Sequence, residues 1–154
     1  MYWPCVSVQI SGMGFEYRRL LVYQKVLQYR ALAAPLLVRI KLVDVDLHNQ
    51  LKRNGNSIGS NIAEGASEDR PRVKADRYRV AKREAEEAGM NWESAVASDY
   101  LADDEVEPLL DLLDETARML AGLIRRFDPE GSPRRKDGEQ PPPPPPIPIP
   151  PPSS

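Results

Sequence analysis

Hydrophobic positions along most of this chain recur at intervals of three and four residues, the spacing of one face of an α-helix. From Tyr17 onward, Leu20, Tyr23, Leu27, Ala31 and Ala34 form one stripe, and Val22, Val26, Tyr29 and Ala33 form a second beside it. A helix with two adjacent stripes can bury one in its own bundle and offer the other to a neighbour; a single broad core face is the alternative. Pro35 has no amide hydrogen and crowds the preceding turn, so it is expected to end or kink this helix. The next stretch, LLVRIKLVDVDLH, alternates as a strand would at Val38, Ile40 and Leu42 and again at Val43, Val45 and Leu47. An isolated strand would find no partner in this chain, so the strand reading is set aside. From Leu47 a helical phase runs through Leu51, Ile58 and Ile62.

Two more helices follow. Asp69, Arg70 and Pro71 mark a start, because proline is tolerated in a first turn. Val73, Val80, Ala81, Ala85, Ala88, Trp92 and Ala95 then give a long helix with a narrow seam, whose alanines permit close approach of another helix. Consecutive acids in the break from Tyr100 to Asp104 suit the positive end of a helix dipole. Val106, Leu110, Leu113, Ala117, Leu120, Ile124 and Phe127 repeat with 4-3-4-3-4-3 spacing, flanked by Leu109, Leu112, Met119 and Leu123. Pro108 is placed in the first turn of that helix. Four helices with short connections predict an all-α fold, an antiparallel up-down four-helix bundle.

Composition sets the limits of the domain. Twelve of the 16 prolines lie after Phe127, six of them consecutive from Pro141 to Pro146. Such a run extends as polyproline II and cannot pack a core. The expected organisation is a leader over residues 1–14, disordered or not translated if Met13 is the natural start, a bundle over 15–128, and a disordered proline-rich tail over 129–154. Cys5 is the only cysteine, so an internal disulfide and a cysteine-rich zinc site are excluded. No apolar run approaches the length of a membrane span, and the amino end lacks the charge and apolar segments of a signal peptide. A cytoplasmic location, with no membrane partner, is the expectation.

Catalytic constellations are hard to build. The only histidine, His48, has Val45 three residues before it, so the paired Glu-x-x-His sites of di-iron bundles cannot form. A nucleophile–histidine–acid triad would need the same His48, and no G-x-S-x-G elbow occurs. GNSIGS at 55–60 lacks the spacing and lysine of a phosphate loop. No catalytic residue, metal ligand or cofactor is assigned, and an enzyme is not expected.

Charge is more informative. The net charge of −2 hides an asymmetry: Arg70, Arg72, Lys74, Arg77, Arg79, Lys82 and Arg83 face Asp76 alone, then twelve acids run from Glu84 to Glu115 without a lysine or arginine. The functional reading is a phosphate-binding patch on the third helix, for RNA or DNA. The plain alternative is a solvated face that pairs with acidic segments of the same bundle or a neighbouring subunit.

YRRLLVYQKV at 17–26, DLHNQLKR at 46–53 and SIGSNIAEGA at 57–66 resemble the bacterial four-helix-bundle family of 23S rRNA intervening-sequence proteins. The matching residues are Tyr17, Leu20, Val22, Tyr23 and Gln24; Gln50, Leu51 and Arg53; and Ser57, Ile58, Asn61, Ile62, Ala63, Glu64 and Gly65. The resemblance spans roughly residues 17–127. It implies an antiparallel four-helix bundle that often assembles as a homopentamer, without enzymatic activity. A related accessory variability determinant of retroelements binds a reverse transcriptase and nucleic acid, which makes those candidate partners too. Two departures stand out. Asn54-Gly55-Asn56 replaces small apolar residues and is expected to loosen the second helix, and Arg83-Glu84 replaces a Gly-Ser pair that favours close helix contact. That relative is also strongly basic, unlike this chain.

The segment NSIGSNIAEG at 56–65 is therefore read as the carboxyl end of the second helix, closed by Gly65 as a left-handed cap. Ser57, Asn61 and Glu64 form a structural polar stripe, with Ile58 and Ile62 facing the core. Two functions follow. One is a non-catalytic, oligomeric nucleic-acid or ribonucleoprotein accessory factor. The other is an assembly or adaptor scaffold without nucleic-acid binding, recruiting a reader of proline-rich motifs through its tail.

Overall fold

The structure, a computed structural model, describes residues 15–131. The expected leader with its Met13 start, and the proline run of the tail, lie outside the described residues. A short 3-10 helix, Glu16–Arg19, leads into four helices: α1 (Leu21–Val43), α2 (Val45–Ser67), α3 (Pro71–Ala97) and α4 (Asp103–Phe127). No strand occurs among the described residues, so the alternating stretch after Pro35 is helical.

Consecutive helices pack on one another and α1 closes against α4. Across each seam, rising residue numbers meet falling ones. Val26 lies by Gly59 and Tyr29 by Gly55; Glu64 reaches Arg77 and Asn54 reaches Asn91. Phe127 lies by Tyr78 and Leu110 by Gly89, while Lys25 reaches Glu115 and Arg39 reaches Glu105. Contacting helices therefore run in opposite directions.

The core of α1 is its second stripe. Val22, Val26, Tyr29 and Ala33 are buried, whereas Ala31 and Ala34 of the first stripe are exposed. Trp92 of α3 is fully buried, and its indole Nε1–H donates to the Tyr29 hydroxyl at 2.9 Å, which satisfies both polar atoms inside the core. On α4 the buried line is Val106, Leu109, Leu113, Thr116 and Leu120. Leu110 and Ala117, expected in the core, are half-buried at its edge. Thr116 turns its hydroxyl back onto the Leu112 carbonyl at 2.7 Å, so burial leaves it satisfied.

Several sequence expectations are corrected. Pro35 does not end the first helix, which continues to Val43. Its missing amide would have met the Ala31 carbonyl, and both residues are exposed, so water can take that acceptor. Pro108 lies in the second turn of α4 rather than the first, and the carbonyl it leaves free belongs to exposed Asp104. The second helix starts at Val45, because Asp44 alone links α1 to α2 and its Oδ1 accepts the Leu47 amide at 2.8 Å as an N-cap. Asn54-Gly55-Asn56 does not interrupt α2.

Gly65 is not a left-handed cap. Among the described residues the only glycine with positive φ is Gly131, and α2 runs on to Ser67. Glycine is needed there for a different reason. A Cβ at position 65 would stand 2.6 Å from Cε1 of Tyr78, inside van der Waals contact with a ring that is itself buried. Close approach of α2 and α3 thus occurs at Gly65, and further along, at the Arg83-Glu84 substitution, the two helices are joined by side chains, Glu84 accepting from Asn54 at 2.9 Å.

Candidate nucleic-acid interface

The basic segment occupies the first half of α3, opened by Pro71 at its first position. Four of its seven cations have carboxylate partners within the chain. Arg70 makes a two-pronged contact with Glu68, Nε to Oε1 and Nη2 to Oε2, each 2.9 Å. That side-chain bond, assisted by the Arg70 backbone amide, holds the Glu68 carboxyl down at about 2 and raises the Arg70 guanidinium. Arg77 meets Glu64 of α2 at 3.1 Å. Arg79 lies between Asp76 and Asp128, 2.6 Å from each, and Lys82 pairs with Glu86 one turn on. Lys74 is held differently. Its Nζ sits 4.9 Å over the Phe127 ring and 3.5 Å from the Ala66 carbonyl.

Arg72 and Arg83 are exposed and have no ion-pair partner among the described residues. Eleven residues apart on one helix, they share a face and stand roughly 16 Å from each other. The last turn of α4 adds two cations that sequence reasoning did not include, exposed Arg125 and Arg126. Tyr78 and Phe127, with ring centroids 6.2 Å apart, fix that turn beside the start of α3. The signal was present in the sequence as an arginine pair closing the cleanest helical period.

Asp128 is the anchor of this end. Its side chain is 4% exposed and holds Arg79, so that arginine stitches α3 to the end of α4 rather than standing free. The family-motif residues on α2 divide in the same way. Gln50 and Arg53 are exposed. Asn61 donates through Nδ2 to the Ser57 carbonyl at 2.9 Å and to its hydroxyl at 3.3 Å, while Glu64 crosses to Arg77. Gly65 makes the close approach to Tyr78.

A polar cluster that sequence reasoning missed lies between α2 and α3. Asn54 is fully buried; its Nδ2 donates to Glu84 and its Oδ1 accepts from Asn91, both at 2.9 Å. The clue was position: Leu47, Leu51, Asn54 and Ile58 follow one buried face. His48, half-buried, places Nδ1 2.9 Å from the Leu37 carbonyl. Among the described residues, no group of three or more His, Cys, Asp or Glu side chains could hold a metal ion. No helix among them is long and apolar enough to cross a membrane.

An all-α bundle with a half-neutralised basic end defines a broad class, and comparison narrows it. The chain belongs to the family described as 23S rRNA-intervening sequence protein, whose profile matches residues 18–122. A solved structure with a similar fold is a protein of unknown function from the S23 ribosomal protein family of Bacteroides thetaiotaomicron VPI-5482. It is 21% identical, with a TM-score of 0.64, over 68% of this chain and 99% of that one. No curated protein matches the chain.

Proposed function

We propose that this protein is a non-catalytic, self-associating helical bundle that serves as an accessory factor to RNA or DNA. Membership of the 23S rRNA-intervening sequence family is the observation that carries the reading. The exposed cations Arg72, Arg83 and Arg125 supply groups that a phosphate backbone can use without breaking an internal ion pair. Arg79 is not one of them, since releasing it would strand the buried carboxylate of Asp128. The test is retention of nucleic acid by the purified protein, read from its absorbance ratio before and after a high-salt wash. Arg72→Glu with Arg83→Glu should remove retention at unchanged helicity. Each phosphate contact contributes about 0.9 to the slope of log K against log salt, so the pair should flatten that slope by about 2. Retention that ignores salt, or none in the unaltered protein, refutes this function.

A second reading has its own support. Four of the seven cations are already neutralised by carboxylates of the same chain, as a solvated structural face would be. On that reading the bundle is an assembly or adaptor scaffold whose proline-rich tail recruits a partner. A protein free of nucleic acid that captures a reader of proline-rich motifs, and loses it when the tail is removed, would favour the scaffold.

A further inference from the structure

Between α1 and α2 runs an open trench of about 480 Å³. Small residues create it. Ala33 and Ala34 on one wall and Gly55 on the other leave the floor to Leu37, Val38 and Leu51. Val38 is 64% exposed there, and Leu42, one turn further along α1, is 82% exposed, so the apolar surface continues beyond the trench. The rim carries Arg30, Lys41 and Lys52, and among the described residues no carboxylate lines the trench. Its occupant should therefore be an apolar side chain surrounded by acids.

This chain carries such a knob. Met90 on α3 is 60% exposed and points away from a core face made by Ala85, Ala88 and Trp92. Glu86, Glu87 and Glu93 stand four and three residues before it and three after it, so they ring it on the helix surface. Glu86 pairs only with Lys82 on its own exposed face, a contact easily exchanged.

Height along the bundle matters as much as charge. Asn91 donates to Asn54 at 2.9 Å, which puts Met90 level with Gly55 in the trench wall. Knob and trench lie on different sides of one molecule but at one height. A head-to-tail contact between such patches needs rotation without axial translation, the condition for a ring rather than a filament.

We infer that Met90 of one copy seats in the Gly55 end of the α1–α2 trench of the next, with Glu86, Glu87 and Glu93 facing Arg30 and Lys52. This rests on the self-association proposed above and names its interface. The experiment is sedimentation and light scattering of the full chain from about 1 to 100 µM, with helicity checked for each variant. Glu86→Lys with Glu93→Lys should raise the midpoint concentration of assembly by about 100-fold or more, and so should Arg30→Glu with Lys52→Glu. All four changes in one chain should bring it back to within about tenfold of the original. Mixing the two reversed chains should restore head-to-tail association, because each then offers the face the other lacks, although only an even number of subunits can then close a ring without a mismatched contact. An unaltered chain that is monomeric throughout overturns self-association and this interface together. Assembly that survives both reversals, or that is lost without rescue, overturns the interface and leaves self-association standing.

Discussion

Replacing Gly65 by alanine separates two explanations of that glycine. As a left-handed cap it would resist any side chain for backbone reasons alone. As a point of close approach it resists only because Tyr78 is there, with ring carbons 2.6, 3.0 and 3.2 Å from where a Cβ would lie. Tyr78 is 2% exposed and packs by Phe127, so the ring has little room to retreat. Overpacking of this kind costs about 1–3 kcal/mol. Against it stands the gain of about 1 kcal/mol from putting alanine in a helix interior. The net expectation is a loss of about 0–2 kcal/mol. The sign should change in a Tyr78→Leu background, where the same substitution becomes stabilising by about 0.5–1 kcal/mol because only propensity remains. Gly122→Ala is the control. Among the described residues no atom counts as a neighbour within 4 Å of its would-be Cβ, so it should stabilise by a similar amount in either background. Urea midpoints at one fixed protein concentration give all these values. An equal cost for Gly65→Ala with and without the Tyr78 ring would refute the close-approach argument.

Three further outcomes follow from the core and its anchors. Burial pushes the Tyr29 phenol up to about 12, above its unfolded value near 10, so its contribution to stability is complete below pH 10 and is lost as pH rises towards 12. That loss is of order 3 kcal/mol; Tyr29→Phe should flatten the alkaline limb of the urea midpoint while costing about 1–3 kcal/mol at neutral pH for the orphaned Trp92 indole. Asp128→Asn leaves Arg79 without its buried carboxylate and should cost about 2 kcal/mol, with faster amide exchange where α4 ends. Asn54→Ala should destabilise by about 1–3 kcal/mol, and Asn54→Leu by less than Asn54→Ala if packing is the larger part; equal midpoints for all three chains would contradict a structural role for the cluster.

The four helices were legible because period 3.6 survives local exceptions, and the exceptions explain the errors. Pro35 and Pro108 break hydrogen bonds whose orphaned carbonyls face water, so propensity overstated their effect. On α4 the chosen line was displaced by one residue, to Leu110 and Ala117 in place of Leu109 and Thr116, because Leu109 and Leu110 are equally apolar and Thr116 reads as polar although its hydroxyl is satisfied by the Leu112 carbonyl. Tyr78 was overlooked among charges, although its ring is the reason for Gly65. Both Asn54 and Gly65 were read through local backbone preference. Their requirement is set by α3, whose contacting residues lie 13 to 37 positions away in sequence.

Charge shows the same limit in a sharper form. A count over Arg70 to Arg83 gives the sum of the charges, but binding depends on which remain available. Arg70 is matched two residues away by Glu68, a pairing visible in sequence. Arg77 is matched by Glu64 on the preceding helix, and Arg79 by Asp128, 49 residues distant, where no window over the basic segment could find it. Folding therefore converts a run of seven cations into a scaffold of bridges with Arg72 and Arg83 left over on one face. On the accessory-factor reading Arg72 and Arg83, on a face of α3 that they share with Asp76, Arg79, Glu86 and Met90, form a sparse set suited to tracking a backbone rather than reading bases. An accessory factor built this way should discriminate poorly between sequences. Its affinity would come from repetition of the patch around an assembly, so that breaking the Met90 contact should weaken nucleic-acid retention with Arg72, Arg83 and Arg125 all left in place.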